Sequence, residues 1–230
     1  MKSLKIIIIS IMLALYTQTA AGSETDDIKK KIEKCNTGDA YSCMKLASTY
    51  KYNPRHKNLK KYTEFFKKMY ELDNNACEKG DGERCLGLAE IYDFAEIVEL
   101  DIKKATSFYD KAIQAFTKPC DEESVPLACY RLGSLYSKAS KPDREKGRKY
   151  REKACDVGYG PACEYLGRLN KRNPEIAVTY YKKGCDFKSI ENCLLLGYAY
   201  KEGKGVPQSD KKASEAFKIA CAWYPDVCDK

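Results

Sequence analysis

One histidine, His56, and one tryptophan, Trp223, are all that the chain has of those residues. A single imidazole excludes a His-rich metal site and leaves little room for catalysis that turns on histidine. Aliphatic residues are scarce as well. Leu, Ile, Val and Phe make up 44 of the 230 residues, and eight of them fall in the first 20. Mean hydropathy is −0.58, which excludes a polytopic membrane protein. So thin an aliphatic fraction with a net charge of +8 borders on the composition of disordered chains. The chain nevertheless carries 18 Tyr and 12 Cys. Those two counts exclude disorder and demand a fold stabilised by other means than aliphatic burial.

The N-terminus reads as a targeting segment. Two lysines in Met1–Lys5 precede an apolar run from Ile6 to Tyr16, and Thr19-Ala20-Ala21 offers small residues where a signal peptidase cuts. The run is about half of what a membrane span needs. Residues 1–21 are therefore expected to be a signal peptide, and 22–230 the mature domain, exported to the periplasm or secreted, with no stable membrane insertion after cleavage. Export sets an oxidising compartment, in which paired cysteines become disulfides.

The cysteines form a ruler. They fall into six close pairs: Cys35/Cys43, Cys77/Cys85, Cys120/Cys129, Cys155/Cys163, Cys185/Cys193 and Cys221/Cys228. Separations of seven to nine do not match the two-to-four spacing of zinc ligands, and histidines are lacking, so six local disulfides and no metal are predicted. The residues after each second cysteine repeat too. Leu46, Ala47 and Tyr50 follow Cys43 at offsets 3, 4 and 7, as Leu88, Ala89 and Tyr92 follow Cys85 and Leu132, Gly133 and Tyr136 follow Cys129. Leu166 and Gly167 follow Cys163, with Asn170 in place of Tyr, and Leu196, Gly197 and Tyr200 follow Cys193. These offsets share one face of a helix, here termed helix A. The small residue at offset 4 would let a neighbouring helix approach closely.

A second helix, B, precedes the next cysteine pair. Asn58, Asp101, Asp143, Asn173 and Ser209 are its predicted N-caps. Three residues on stand Lys61, Lys104, Lys146, Ile176 and Lys212, and an aromatic follows seven or eight past the cap. From cap to cysteine the distance is 19 in the first two units and 12 in the others. Seven extra residues are two α-turns, so the added length preserves the buried face. The chain thus reads as an all-α, right-handed α-solenoid of about five helix-turn-helix repeats, with approximate units 28–77, 78–120, 121–155, 156–185 and 186–230. Each disulfide would join the end of one helix B to the start of the next helix A. Gly38, Gly80 and Gly158 suit left-handed caps at those junctions.

The run from Leu196 to Val206, followed by Lys212-Ala213, resembles the Sel-one-like repeat, a relative of the tetratricopeptide repeat. With one cysteine pair per repeat, the chain is similar to the Helicobacter cysteine-rich protein family. That resemblance covers about residues 28 to 230 and implies penicillin binding, members being classed as β-lactamases. The chain departs from it in its two lengthened B helices and in lacking the Gly-x-Gly-Val loop in the first four units.

The residues were tested against that implied activity. Three Ser-x-x-Lys matches occur, at Ser42…Lys45, Ser48…Lys51 and Ser209…Lys212, without Ser-Asp-Asn or Lys-Thr-Gly companions. Ser42 is placed in a turn by the repeat register, and Ser209 serves as a cap. Every cysteine has a local partner, so none is a free nucleophile. His56 lies in a polar loop between helices and reads as a surface histidine. Positive charge is interleaved with Asp and Glu, which excludes a nucleic-acid stripe. No cofactor and a monomeric chain are expected. What remains is a binding surface. Offsets 2 and 5 of helix A would face a concave groove, selecting Lys45, Ser48, Arg131, Ser134, Tyr165, Arg168 and Tyr198. Gly87, Glu90 and Leu195 complete the set. The basic members favour an anionic ligand: a carboxylate-bearing peptide, a peptidoglycan fragment, a β-lactam or a protein partner. Weak hydrolysis of the β-lactam amide is the alternative.

Overall fold

Among the described residues (24–94, 99–138 and 142–222) of the computed structural model, the backbone forms eleven helices and no strand. Helix α1 spans residues 24–36. It is followed by α2 (Ala40–Tyr52), α3 (Leu59–Glu78), α4 (Gly82–Phe94), α5 (Ile102–Asp121) and α6 (Pro126–Lys138). The series ends with α7 (Arg144–Asp156), α8 (Gly160–Leu169), α9 (Pro174–Asp186), α10 (Ile190–Glu202) and α11 (Asp210–Cys221). Even-numbered helices to α10 are the A helices; α3, α5, α7, α9 and α11 are the B helices. The two lengthened B helices stand where the cap-to-cysteine distances place them, α3 and α5 having 20 residues each against 13 for α7. The expected signal segment, residues 1–21, lies outside the described residues.

The chain is an all-α solenoid of helix-turn-helix repeats, divided into two compact units, one ending at Phe108 and the other beginning at Tyr109. In the first, α3 packs on both α2 and α4. Its core gathers Leu46, Ala47, Tyr50, Phe65 and Met69 around the Cys35 and Cys43 pair. In the second, α6 pairs with α7, α8 with α9 and α10 with α11. The offset-3 leucines Leu46, Leu88, Leu132 and Leu166 are all completely buried, as the helix A register requires.

Five of the six expected bridges form: Cys35–Cys43, Cys77–Cys85, Cys120–Cys129, Cys155–Cys163 and Cys185–Cys193, with Cα atoms 4.5–4.8 Å apart. The sixth, Cys221/Cys228, involves Cys228, which lies outside the described residues. Side chains of Asn58, Asp101, Asp143 and Ser209 accept from the backbone N–H three residues on, at 2.9–3.3 Å. Asn173 occupies the cap position but makes no such bond, and Pro174 opens the helix.

Four of the five described junctions share one turn, and the third, one residue longer, places Ser124 at φ 54°. Gly38, Gly80 and Gly158 have φ of 93–99°, and the fifth junction places Lys188 in the same left-handed region at φ 65°. A side chain there costs about 1–2 kcal/mol in backbone strain, and glycine returns about 0.5–1 kcal/mol in unfolded-state entropy. Lys188→Gly is therefore expected to stabilise the protein by about 0.5–1 kcal/mol in urea denaturation. A loss of stability would refute this reading of the junction.

The lysine that recurs after each B-helix cap has a structural role. Lys61 lies 5.0 Å from the ring centroid of Tyr50, Lys104 5.0 Å from Tyr92, Lys146 4.3 Å from Tyr136 and Lys212 5.4 Å from Tyr200. Beneath, Tyr50 stacks on Phe65, Tyr92 on Phe108 and Tyr136 on Tyr150, at 5.6–6.1 Å. Each cation–ring contact contributes about 0.5–1 kcal/mol at such exposed sites. The fourth repeat lacks both partners. Ile176 replaces the lysine, and Asn170 turns back to donate to the Leu166 carbonyl at 2.8 Å.

Candidate functional site

Helix A turns its offset-0, 3, 4 and 7 residues into the core, so offsets 2 and 5 are left on the outer face. Lys45 is exposed and its ammonium lies 5.2 Å from the Tyr41 ring centroid. Ser48, Arg131 and Ser134 are half-buried, and the Ser134 hydroxyl donates to the Tyr130 carbonyl at 3.1 Å. Arg168 donates through Nε to Glu164 Oε1 at 2.7 Å. Tyr165 is 39% exposed and Tyr198 is 52% exposed, with Phe217 edge-on to Tyr198 at 5.2 Å. Thus Arg168 already carries a carboxylate, and Lys45 already lies on a ring.

Two of these register pairs line cavities, one in each unit. In the first unit a cavity of about 390 Å³ opens between α2 and α4, bordered by Gly87 and Glu90. Tyr41, Met44, Ile91 and Phe94 form its apolar walls. Gly87 keeps it open, because a Cβ built there meets nothing within 4 Å. The B helix contributes Asp73, which is buried and accepts from Arg84 Nη1 at 3.1 Å. Burial pushes the Asp73 carboxyl above the usual range, and the Arg84 guanidinium partly offsets it. With Glu83 and Glu90 on the lining, three carboxylates face one guanidinium.

In the second unit a cavity of about 230 Å³ lies between α9 and α10, lined by Leu195 and Tyr198. Pro174, Val178 and Tyr181 supply its other apolar walls, while Lys171, Glu202 and Lys204 also line it. Burial raises the Tyr181 hydroxyl's pKa, keeping it a neutral donor. A Cβ at Gly167 would collide with the Tyr181 ring, so glycine at offset 4 is what lets the ring lie flat there.

Two charged residues were missed on the sequence. Asp73 stands in the buried stripe Phe65, Met69, Asp73, Cys77, where a single acid in a row that is otherwise apolar every four residues is the signal that would have found it. Arg151 is buried at 6% exposure. Its Nη1 donates to Ser137 Oγ at 2.8 Å and its guanidinium lies 4.3 Å from the Tyr165 ring centroid. Gly133 and Gly147 make room for it.

Two of the three candidate serines are otherwise engaged. Ser42 lies in the first turn of α2 rather than in a turn between helices, because α2 begins at Ala40; it is buried and donates to Asp39 Oδ2 at 2.5 Å. Ser209 Oγ accepts from the Lys212 N–H. His56 is not a plain surface residue: its Nε2 is 3.2 Å from Glu24 Oε1. Among the described residues no group of three or more His, Cys, Asp or Glu has a metal-holding arrangement, and no helix is long and apolar enough to cross a membrane.

The sequence profile described as Sel1 repeat matches residues 85–115, 126–159, 160–186 and 193–221. Among curated relatives, the cytochrome c oxidase assembly factor 7 homolog of Drosophila melanogaster is 32% identical over 43% of this chain and 40% of its own length. Cytochrome c oxidase assembly factor 7 of Xenopus tropicalis is 25% identical over 82% of this chain and 85% of its own. The chain therefore aligns with less than half of the fly protein. Among solved structures, Helicobacter pylori cysteine rich protein B is 30% identical, covering 52% of this chain and 90% of that one with a TM-score of 0.41. Neither curated name refers to penicillin or β-lactams.

Proposed function

We infer, because the chain belongs to the Sel1 repeat family, that it is a non-catalytic docking protein that holds a segment of a partner protein against the outer faces of its A helices. One observation carries this reading: the same register positions, offsets 2 and 5, line a cavity in each unit, as Gly87 with Glu90 and as Leu195 with Tyr198. Concave, partly apolar cavities with a few polar groups are the usual form of a side-chain receptor. The cavity at Gly87 favours an aromatic side chain, since Tyr41, Met44, Ile91 and Phe94 wall it. The cavity at Tyr198 favours an apolar one. This revises the anionic preference inferred from Lys45, Arg131 and Arg168, of which Lys45 and Arg168 have the partners described above.

Five local disulfides support an exported protein working in an oxidising compartment. Resemblance to the Helicobacter cysteine-rich proteins adds peptidoglycan fragments and β-lactams as ligands to be tried. Hydrolysis finds no support in Ser42, which is buried against Asp39, or in Ser209, which is a cap, and Ser48 has no Ser-Asp-Asn or Lys-Thr-Gly companion. A chromogenic cephalosporin is accordingly expected to show no turnover.

The test is to select binders from a displayed peptide library on the oxidised protein. Gly87→Leu fills the first cavity without a clash and is expected to weaken peptides held there about tenfold, or about 1.4 kcal/mol, with no fall in melting temperature. Tyr198→Ala should weaken peptides held in the second unit by a similar factor. Selected peptides indifferent to both changes would refute the assignment.

A further inference from the structure

We propose that the cavity at the N-terminal end of α3 is a binding site for a phosphate-bearing ligand, distinct from the A-helix faces. It measures about 470 Å³ and lies between α1, the loop of residues 53–58 and the first turn of α3. Its lining includes Lys29, Arg55, His56, Lys57 and Lys61, and no carboxylate. The hydroxyl of Thr25 and the amide of Asn58 border the same space. Five basic side chains around one cavity are a concentration that the rest of the chain, with its interleaved charges, does not repeat among its described cavities.

The loop already handles an anion. Glu24 reaches it from α1, where its Oε1 accepts from Asn53 Nδ2 at 3.2 Å and lies 3.2 Å from His56 Nε2. Its Oε2 is 3.6 Å from Arg55 Nη1. The His56 contact is close enough for an ion pair but is not aligned as a hydrogen bond, so Nε2 still has a bond to give. Glu24 is thus a resident carboxylate on the edge of the cavity, and it shows what the loop recognises.

The charge balance then selects the ligand. Lys29, Arg55, Lys57 and Lys61 are cationic, and among the described residues the acids paired with them are Glu24, on Arg55, and Asp26, on Lys29 at 3.7 Å. Two positive charges are left over even with His56 neutral. A carboxylate would neutralise one of them, whereas a phosphate group, at about −1.5 to −2, neutralises both. The 20-residue helix α3 begins at the cavity, with Asn58 capping Lys61, and its dipole adds a field of the same sign. Lys61 is held in place by its contact with the Tyr50 ring, so part of the site is preorganised.

The chemistry fits either a soluble phosphate compound or a phospholipid headgroup, and the experiment separates the two sources. Oxidised full-length protein is titrated with pyrophosphate by calorimetry, and in parallel co-sedimented with phosphatidylcholine vesicles containing phosphatidylglycerol. Saturable binding of pyrophosphate identifies a soluble ligand, and binding confined to the vesicles identifies a headgroup; either supports the site. Arg55→Ala with Lys57→Ala, both at exposed side chains, is expected to weaken binding about tenfold, and rising salt should weaken it further. Lys57→Ala alone, at an exposed side chain, should give a several-fold loss. Glu24→Gln removes the competing carboxylate and should tighten binding about threefold. The proposal fails if neither probe binds, if the double variant binds as well as the parent, or if Lys201→Ala with Lys211→Ala, placed elsewhere on the surface, reduces binding equally.

Discussion

Reduction of the bridges is expected to unfold the protein at room temperature. Each described bridge closes a loop of eight or nine residues, for which the chain-entropy relation gives about 2.5 kcal/mol. Five together come to about 12 kcal/mol, against a typical domain stability of about 5–15 kcal/mol. The core cannot compensate, because much of what is fully buried is Ala and Cys, with few leucines beyond Leu46, Leu88, Leu132, Leu135 and Leu166. Far-ultraviolet circular dichroism of the oxidised and reduced protein checks this directly. A reduced chain that keeps its helical signal and melting temperature would mean that the repeats hold together by packing alone. Replacing one pair, Cys155→Ala with Cys163→Ala, should cost about 2–3 kcal/mol in urea denaturation.

Gly133→Val is expected to be a severely damaging exchange in the second unit. A Cβ at Gly133 would stand 2.8 Å from the Gly147 carbonyl oxygen and 2.5 Å from Arg151 Cγ, and one at Gly147 would stand 2.8 Å from the Gly133 carbonyl oxygen. Backbone meets backbone where α6 crosses α7, so no rotamer change relieves the clash. Overpacking of this kind costs about 3 kcal/mol or more. Gly87→Leu is the internal control, since it adds a side chain to another A helix at a position open to 4 Å and gains helix propensity. If urea denaturation gives the two variants similar stabilities, the close approach of α6 and α7 is wrong.

Much of this fold was legible in the sequence because covalent and periodic constraints wrote it there. The spacing of Cys77 and Cys85 fixes a bridge, and the seven extra residues of α3 and α5 keep their buried face only because they make whole turns. The recurrent lysine at Lys61, Lys104, Lys146 and Lys212 was visible too, but its purpose was not, since the ring beneath each belongs to the preceding helix. Register likewise placed Gly87, Glu90, Leu195 and Tyr198 on the outer face, yet could not show that these pairs border cavities, which depends on the B helices opposite. Asp73, Arg151 and the Glu24–His56 contact escaped for the same reason: each gains its meaning from a residue at least 11 positions away, Arg84, Ser137 or the loop itself. Ser42 was misplaced because α2 starts one turn earlier than its cysteine register implied, at Ala40 behind the Asp39 cap.

The central claim is that partners dock on the cavity-bearing faces of the A helices, and amide hydrogen exchange of the oxidised protein with and without a saturating selected peptide tests it most directly. The account predicts slowed exchange along a cavity's walls, in α2 and α4 of the first unit or in α9 and α10 of the second. Slowed exchange confined to α7 and α11, with those walls unchanged, would contradict it.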